Sequence, residues 1–251
     1  MAEVASRVGA LSRQRCILAI DTALGAASAC LLEMNASKPL AAESLPMQRG
    51  HAEALIPLLD RLVARLDGGF EAVGRVAVTI GPGSFTGIRV GVSAARAVGL
   101  ACRVPVVGVS TLQALAAPAI AAKAAGTLIA AIDARHGSVY AQIFGPNGTT
   151  LMEACHRSVA DVIEAAGPGP LRLVGSGAPM LAIEAWSRGR VADVDSQAAA
   201  PDIALVARLG ALADPDPAGP KPLYLKAPDA KPSATLVRRL PDPIEPTPAD
   251  A

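Results

Sequence analysis

The chain has 251 residues, of which 51% are hydrophobic and 18% charged, so it can bury one large core or two smaller ones. Aromatic residues make up only 2%, which leaves Ala, Val, Leu and Ile to build the core and few rings to stack on nucleic acid bases. The net charge is +1. Because phosphate contacts supply most RNA affinity, this balance excludes a chain that grips RNA unaided; a partner would do most of the holding.

The N-terminal residues and the cysteines indicate a soluble cytoplasmic protein. Residues 1–14 are polar and basic, which predicts a flexible N-terminal extension rather than a secretory signal. The apolar run 16–32 contains Asp21, Thr22 and Ser28 and fits two strands better than a membrane span. Without a CxxC pair, we expect free thiols in a reducing compartment at Cys16, Cys30, Cys102 and Cys155.

An internal repeat is the most informative feature of the chain. Residues 16–32 (CILAIDTALGAASACLL) align without gaps on residues 128–144 (LIAAIDARHGSVYAQIF). Each copy reads as a buried strand that ends at an Asp, a turn with Gly, and a second strand. Chance similarity of apolar strands is the alternative; a true repeat predicts two related lobes.

The first lobe is predicted to span residues 15–110. Its helix 51–67 places leucines on one face, although Pro57 fits only near the helix start or at a kink. Ser84 is expected to cap a second helix over about 85–102, and an Ala-rich helix follows from Ser110. The predicted strands of this lobe, besides the hairpin, are 39–45, 75–80 and 104–109.

The second, smaller lobe is predicted over residues 111–213. It repeats the hairpin at 127–144, and strands that alternate with helices favour an α/β layered fold. The predicted elements that follow are a strand at 171–174 and helices at about 158–166, 178–187 and 201–213.

A Pro-rich tail is predicted over residues 214–251, because ten of the 21 prolines lie at or beyond Pro215. Such a segment is expected to be extended or disordered. Within it, residues 222–226 (PLYLK) form a short apolar segment that could dock on a lobe.

Residues 81–91 (GPGSFTGIRVG) place Gly-rich backbone between a strand and a helix N-terminus. Free N–H groups and the helix dipole can bind an anion there. The segment lacks the Lys of a Walker loop, and its glycines miss the Rossmann spacing by one residue. A tight turn with a capped helix is the alternative, and the sequence leaves both open.

The helix that follows carries small residues at Gly87, Gly91, Ala95 and Gly99. Each Gly inside a helix costs about 1 kcal/mol relative to Ala, so the stripe needs a closely approaching backbone. That backbone belongs either to the protein's own sheet or to another chain. Arg89, Arg96 and Arg103 recur every seven residues on another face, which is a solvated edge, an interface rim or a phosphate contact.

Paired carboxylates end the repeated strands at Asp21 and Asp133. No Gly follows either one directly, and because phosphate approaches bare backbone most closely, the cleft looks poor for phosphoryl transfer. A weak or vestigial nucleotide site at Asp21, Thr22 and Asp133 stays open. We assign no catalytic nucleophile and no metal site, since the three histidines include no pair with i, i+4 spacing.

Six segments in this order resemble the TsaB (YeaZ) family: ILAIDT (17–22), RGHAEALIPLLD (49–60), GPGSFTGIRVG (81–91), VPVVGVSTLQALA (104–116), IDARHGSVYA (132–141) and PLYLK (222–226). The resemblance covers roughly residues 16–226. It implies an α/β, actin-like (ASKHA) fold of two RNase H-like lobes. It also implies a non-catalytic subunit that binds the TsaD transferase, which adds threonylcarbamoyl to the tRNA adenosine next to the anticodon.

The same resemblance implies further partners and a surface. TsaE-like ATPase is a partner, tRNA is bound only through the complex, and a homodimer forms when TsaD is absent. No cofactor is required, although weak ATP or ADP binding at the lobe cleft or the complex interface stays open. TsaD-like subunits carry an HxxxH metal pair, of which this chain has only His51, with Leu55 at the second position.

The surface that meets TsaD, or a second copy, is expected on the helices at 51–67 and 85–102. The expected interface residues are His51, Leu55, Leu58, Leu59, Leu62, Gly87, Arg89, Gly91, Ala95, Arg96 and Gly99. An active actin-like ATPase or small-molecule kinase is the alternative function. A metallopeptidase has no support in the residues.

Overall fold

A computed structural model describes residues 16–34 and 36–226 of the chain. Within these residues ten strands and six α-helices form two five-stranded sheets. The predicted N-terminal extension and the part of the predicted tail beyond residue 226 lie outside the described residues.

The first sheet has the strand order β3-β2-β1-β4-β5. The antiparallel strands are β1 (Cys16–Asp21), β2 (Ala26–Glu33) and β3 (Ala41–Pro46), and the two that run parallel to β1 are β4 (Val73–Gly81) and β5 (Val106–Ser110). A short 3₁₀ turn at Gly69–Ala72 leads into β4. Helices α1 (His51–Val63) and α2 (Phe85–Cys102) cover one face of this sheet.

The second sheet repeats this path with the order β10-β9-β6-β7-β8. The antiparallel strands are β6 (Thr127–Asp133), β7 (Ser138–Phe144) and β8 (Thr150–Ser158), and the parallel ones are β9 (Leu171–Val174) and β10 (Ala192–Ser196). Helices α4 (Val159–Ala165) and α5 (Ala178–Ser187) cover one face. The repeat is therefore a repeat of topology, and the predicted two-lobed α/β fold is confirmed.

The remaining helices, α3 (Thr111–Ala121) and α6 (Ile203–Leu212), cover the second face of each sheet. Helix α3 packs against the second sheet, whereas α6 returns to the first and packs on β1, β2 and β4. The sequence analysis placed residues 201–213 in the second lobe, and this packing corrects that assignment. Since both faces of each central strand are covered, β1 and β6 read as continuous apolar runs rather than alternating ones.

Three element predictions need correction. Helix α1 ends at Val63 rather than residue 67, where the chain turns toward Gly68 and Gly69, both with positive φ. Strands β8 and β10 were not predicted, because β8 has no buried residue and β10 (ADVDS) alternates acidic residues with small ones. Strand β8 therefore lacks the buried apolar alternation on which strand prediction depends, and β10, with only five residues, is too short for its alternation to stand out.

Helix α2 is the one described helix whose length, 18 residues, and mean hydropathy, 1.2, would suffice to cross a membrane. Its Gly and Ala stripe is buried against the first sheet, as expected for a core helix of a folded lobe.

Candidate functional site

Asp21 ends β1 at a point that is completely buried. Its Oδ1 accepts a hydrogen bond from the Thr79 hydroxyl at 2.5 Å and a second from the backbone N–H of Ala23 at 3.1 Å. Its Oδ2 is buried without a hydrogen-bond partner among the described residues. The carboxylate that was expected to face a nucleotide is therefore enclosed by its own lobe.

The glycine-rich segment provides this enclosure. A Cβ at Gly83 would lie 2.3 Å from the carbonyl oxygen of Ala23, and one at Gly87 would lie 2.1 Å from that of Thr22. The Thr22 hydroxyl donates to the Gly87 carbonyl at 2.7 Å, and the Ser84 N–H donates to the Ala23 carbonyl at 2.8 Å. The segment thus packs directly against the backbone of the residues that follow β1.

Burial raises the pKa of Asp21 above its ordinary value of 3.8. The hydrogen bonds from Thr79 and Ala23, and more weakly the charge of His51, oppose that rise, but burial dominates. Burial therefore makes the ionised form of this carboxyl group less favourable than it would be in water.

Asp133, the second predicted carboxylate, has a different environment. It is exposed, and its Oδ1 accepts the Arg135 N–H at 2.7 Å while its own N–H donates to the Ser176 hydroxyl at 3.1 Å. The prediction of a site shared by Asp21, Thr22 and Asp133 therefore needs correction. Asp21 and Thr22 are buried, and only Asp133 is exposed to solvent.

The predicted partner interface is corrected on its apolar part. The leucines of α1 and the small residues of α2 are all buried inside the first lobe, so they cannot contact another chain: Leu55, Leu58, Leu59, Leu62, Gly87, Gly91, Ala95 and Gly99. Of the two alternatives for the stripe, the protein's own sheet is correct: Gly91 approaches the Thr22 side chain and Gly99 approaches Val106.

The outer faces of the same helices remain available. On α1, Ile56 is 55% exposed and lies between exposed Glu53 and Asp60. On α2, Leu100 is 82% exposed and lies on the same stripe as exposed Arg89 and Arg96. We call these outward residues the helix-pair face. Sequence reasoning missed its apolar members because an isolated exposed Ile or Leu leaves no periodic signal.

His51 begins α1, and its Nε2 lies 3.0 Å from the Leu24 carbonyl oxygen. This contact ties α1 to the turn between β1 and β2. Four residues on, Leu55 lies in the core. Within the described residues no group of three or more His, Cys, Asp or Glu side chains gathers as metal ligands would.

A cavity of about 580 Å³ lies between α3, β9, β10 and the segment before α6. Its walls are mostly apolar, and Arg172 forms an ion pair with Asp195 at 2.5 Å at its edge. The sequence could not predict this cavity, because its lining comes from elements far apart in the chain.

The segment 222–226 lies against the first lobe. The Leu223 N–H donates to the Ile80 carbonyl at 2.7 Å, and Gly81 leaves space for the Leu223 carbonyl, which a Cβ would approach to 2.9 Å. Tyr224 packs on Phe85, with ring centroids 4.9 Å apart. The apolar letters of this segment were its only sequence signal.

Two sheets of one topology, each covered on one face by a helix that follows the other sheet's strands, define a two-lobed α/β protein. A family profile for TsaD, tRNA N6-adenosine threonylcarbamoyltransferase, matches residues 46–185. An uncharacterised protein of Mycobacterium tuberculosis is 34% identical over 218 residues, which are 87% of this chain and 95% of that one. These matches, together with the TsaB relatives and the YeaZ-like structure described next, show that the chain belongs to the TsaB (YeaZ) family.

Curated relatives and a solved structure agree with this assignment. Proteins from Haemophilus influenzae and Escherichia coli, both called tRNA threonylcarbamoyladenosine biosynthesis protein TsaB, are 37% and 36% identical over 127 residues, 49% of this chain. The chain spans about half the length of these curated relatives, 51% and 52%. The crystal structure of a Pseudomonas aeruginosa protein with similarity to peptidase YeaZ superposes with a TM-score of 0.69 at 27% identity, over 84% of this chain and 99% of that one.

Proposed function

We propose that the chain is a non-catalytic subunit of a complex that synthesises threonylcarbamoyladenosine in tRNA. The observation that carries the proposal is the closed end of β1, where Asp21 is buried and bonded to Thr79 and Ala23. A phosphoryl- or acyl-transfer site at this strand end would need a carboxylate that a metal or nucleotide can reach. The TsaB relatives are named as proteins of tRNA threonylcarbamoyladenosine biosynthesis, and these names support the assignment to that pathway.

The helix-pair face is the surface that we assign to a TsaD-like transferase subunit. Ile56 and Leu100 provide exposed apolar area, and charges of both signs surround them. On α1 these include Glu53 and Asp60, whereas the charged residues of α2 are Arg89 and Arg96. An acidic stripe on α1 beside a basic stripe on α2 is self-complementary under a two-fold axis, so the same face suits a homodimer when the transferase is absent.

The rest of the assignment follows from the same role. The complex acts in the cytoplasm, a TsaE-like ATPase joins it, and tRNA is held through the partners because this chain has a net charge of only +1. The chain requires no cofactor of its own. Any ATP or ADP that it contacts lies at the open Asp133 side of the cleft or at the complex interface, and binds weakly.

Reconstitution of tRNA modification with purified components tests this function. Threonylcarbamoyladenosine should form with the transferase, the ATPase and this chain together, and drop to background without it. Asp21→Asn should leave the yield unchanged, because the carboxylate takes no part in the chemistry. Leu100→Asp, which places a charge on the helix-pair face, should abolish both the yield and co-purification with the transferase.

The alternative, an actin-like ATPase or small-molecule kinase, is favoured by the exposure of Asp133 alone. ATP turnover by the isolated chain, lost in the Asp133→Asn variant, would support that alternative and contradict a non-catalytic subunit.

A further inference from the structure

Two of the six aromatic residues in this chain meet at the start of α2. Phe85 and Tyr224 are 38% and 42% exposed, and the guanidinium of Arg89 lies over the Phe85 ring, with Cζ 3.8 Å from its centroid. The Nε–H of Arg89 donates to the Tyr224 hydroxyl at 2.9 Å. These three residues, which we call the Arg89 cluster, fix the guanidinium on two sides.

The chain after α6 holds this cluster in place. Tyr224 follows Leu223, whose N–H donates to the Ile80 carbonyl. Two turns along α2 from Arg89, Arg96 donates to the Ala218 carbonyl at 3.4 Å. Glycine at position 81 permits the close approach of this segment. The orientation of Arg89 therefore depends on residues more than 120 positions away in the sequence.

The two terminal nitrogens of the Arg89 guanidinium, Nη1 and Nη2, remain available for binding. Within residues 16–34 and 36–226 its Nε is engaged, whereas no side-chain hydrogen bond or ion pair involves Nη1 or Nη2. A guanidinium stacked on a ring and held at Nε has already lost most of its rotamer freedom, so its two remaining donors bind a carboxylate with little further entropic cost.

We propose that the Arg89 cluster is an anchor of the helix-pair face and binds an acidic side chain of the partner subunit in bidentate fashion, with Tyr224 as the positioning residue. This inference rests on the proposed function, since it concerns the same partner. Exposed aromatic rings that flank an arginine have the composition of an interface hot spot, and Arg89 shares its stripe with the exposed Leu100.

A protein carboxylate fits this cluster better than an RNA phosphate. Phosphate tracking needs several basic side chains in a row, and α2 offers only Arg89 and Arg96, the second of which is engaged by the Ala218 carbonyl. The same stripe of α2 also carries the exposed, apolar Leu100, about three turns further along the helix. Apolar area on the same stripe as a fixed arginine suits a protein partner.

The test measures affinity for the purified transferase subunit by calorimetry. Arg89→Lys keeps the charge but loses the fork, so affinity should fall roughly tenfold. Tyr224→Phe removes only the phenol oxygen and should cost roughly threefold. In the Arg89→Lys background, Tyr224→Phe should have no further effect, because its role runs through the guanidinium. Arg188→Lys, at the residue directly after α5 in the second lobe, is the matched control and should bind normally.

A charge swap identifies the partner group. Arg89→Glu should abolish binding, and one Asp→Arg or Glu→Arg substitution on the transferase should restore it. Normal affinity of both Arg89 variants, while Leu100→Asp still abolishes binding, would overturn this inference and leave the proposed function intact. Failure of the unaltered chain to bind the transferase would instead remove the proposed function. Loss of tRNA binding by the complex, with unchanged protein affinity, would assign the cluster to phosphate and contradict the inference.

Discussion

At the scale of single residues, Gly87 lies inside a helix, where Ala is ordinarily better by about 1 kcal/mol. Here the preference is reversed, because a Cβ would lie 2.1 Å from the Thr22 carbonyl oxygen. Backbone, unlike the end of a flexible side chain, cannot move aside cheaply. Gly87 therefore lowers the helix propensity of α2 but allows α2 to pack closely over the end of β1.

Gly87→Ala is expected to destabilise the protein by about 2 kcal/mol or more, since the new methyl group must displace backbone. The matched control is Gly25→Ala, whose Cβ would meet its nearest neighbour at 3.5 Å and should change stability by less than about 1 kcal/mol. Urea unfolding of both variants measures the difference. Equal stability of the two would contradict the close packing of α2 on Thr22.

The buried carboxyl of Asp21 makes stability depend on pH. Its pKa is raised in the folded state mainly by burial, so the folded state binds this proton more tightly than the unfolded state does. The resulting stabilisation is complete below the ordinary pKa of 3.8 and is lost as pH rises through the raised value. An ionised Asp21 is then a cost that the fold carries at higher pH.

Asp21→Asn removes this titration and keeps an acceptor for Thr79 and Ala23. The free energy of unfolding of the variant, relative to that of the unaltered chain, should therefore increase as pH rises from about 4 through the raised pKa of Asp21 and level off above it. Urea unfolding at a series of pH values measures it, with Asp133→Asn as the exposed control, which should show no such trend. A difference that stays constant with pH would mean that burial does not raise the pKa of Asp21.

At the scale of elements, helix α1 has two faces with separate roles. Its leucines are at most 2% exposed and form the core of the first lobe with Leu18, Ile20, Val76 and Val78. Its other face carries exposed Glu53, Ile56 and Asp60. Pro57 lies on this outward face inside α1, at the seventh of its 13 residues, where it removes one intrahelical N–H donor.

The two faces can be separated by substitution. Leu59→Ala should lower the free energy of unfolding by about 2–5 kcal/mol, because it leaves a cavity in the core. Ile56→Ala should change it by less than about 0.5 kcal/mol, since the side chain is exposed. Ile56→Asp should keep the melting temperature but weaken binding to the transferase. If the Leu59→Ala protein were as stable as the unaltered chain but bound the transferase more weakly, the leucines would belong to the interface rather than to the core.

At the scale of the whole molecule, exchange of helices joins the two lobes. Helix α6 follows the last strand of the second sheet but packs on the first, where Val206 contacts a cluster with Ile17, Ala19 and Val107. Helix α3 follows the first sheet and packs on the second, against Leu128 and Ile132. Each core therefore contains a helix from beyond its own run of strands.

Val206→Asp tests this coupling. A charge at this fully buried position should destabilise the first lobe by about 3 kcal/mol or more, even though the residue follows every strand of the second. Hydrogen exchange at β1 and β6 measures the effect on each sheet, and β1 should lose protection at least as strongly as β6. Loss confined to β6 would contradict the packing of α6 on the first sheet.

The sequence predicted the elements with strong patterns and the topology that they repeat. The aligned copies at 16–32 and 128–144 became equivalent hairpins, and the predicted helix at 178–187 matches α5 at both ends. Strands β8 and β10 were missed because β8 has no buried residue and β10 is only five residues long, with two acidic residues among them. The helix exchange was missed because a strongly apolar helix such as α6 fits either sheet equally well by pattern alone.

For the site, the sequence by itself determined which residues were unusual: two Asp residues at strand ends, a glycine-rich turn and a stripe of small residues. Only the tertiary structure decided what each one meets. The same glycine can admit a phosphate, a second chain or the protein's own backbone, because an absent side chain specifies space but not its occupant. Distances from Gly83 and Gly87 to the residues after β1 identify that occupant as the chain itself.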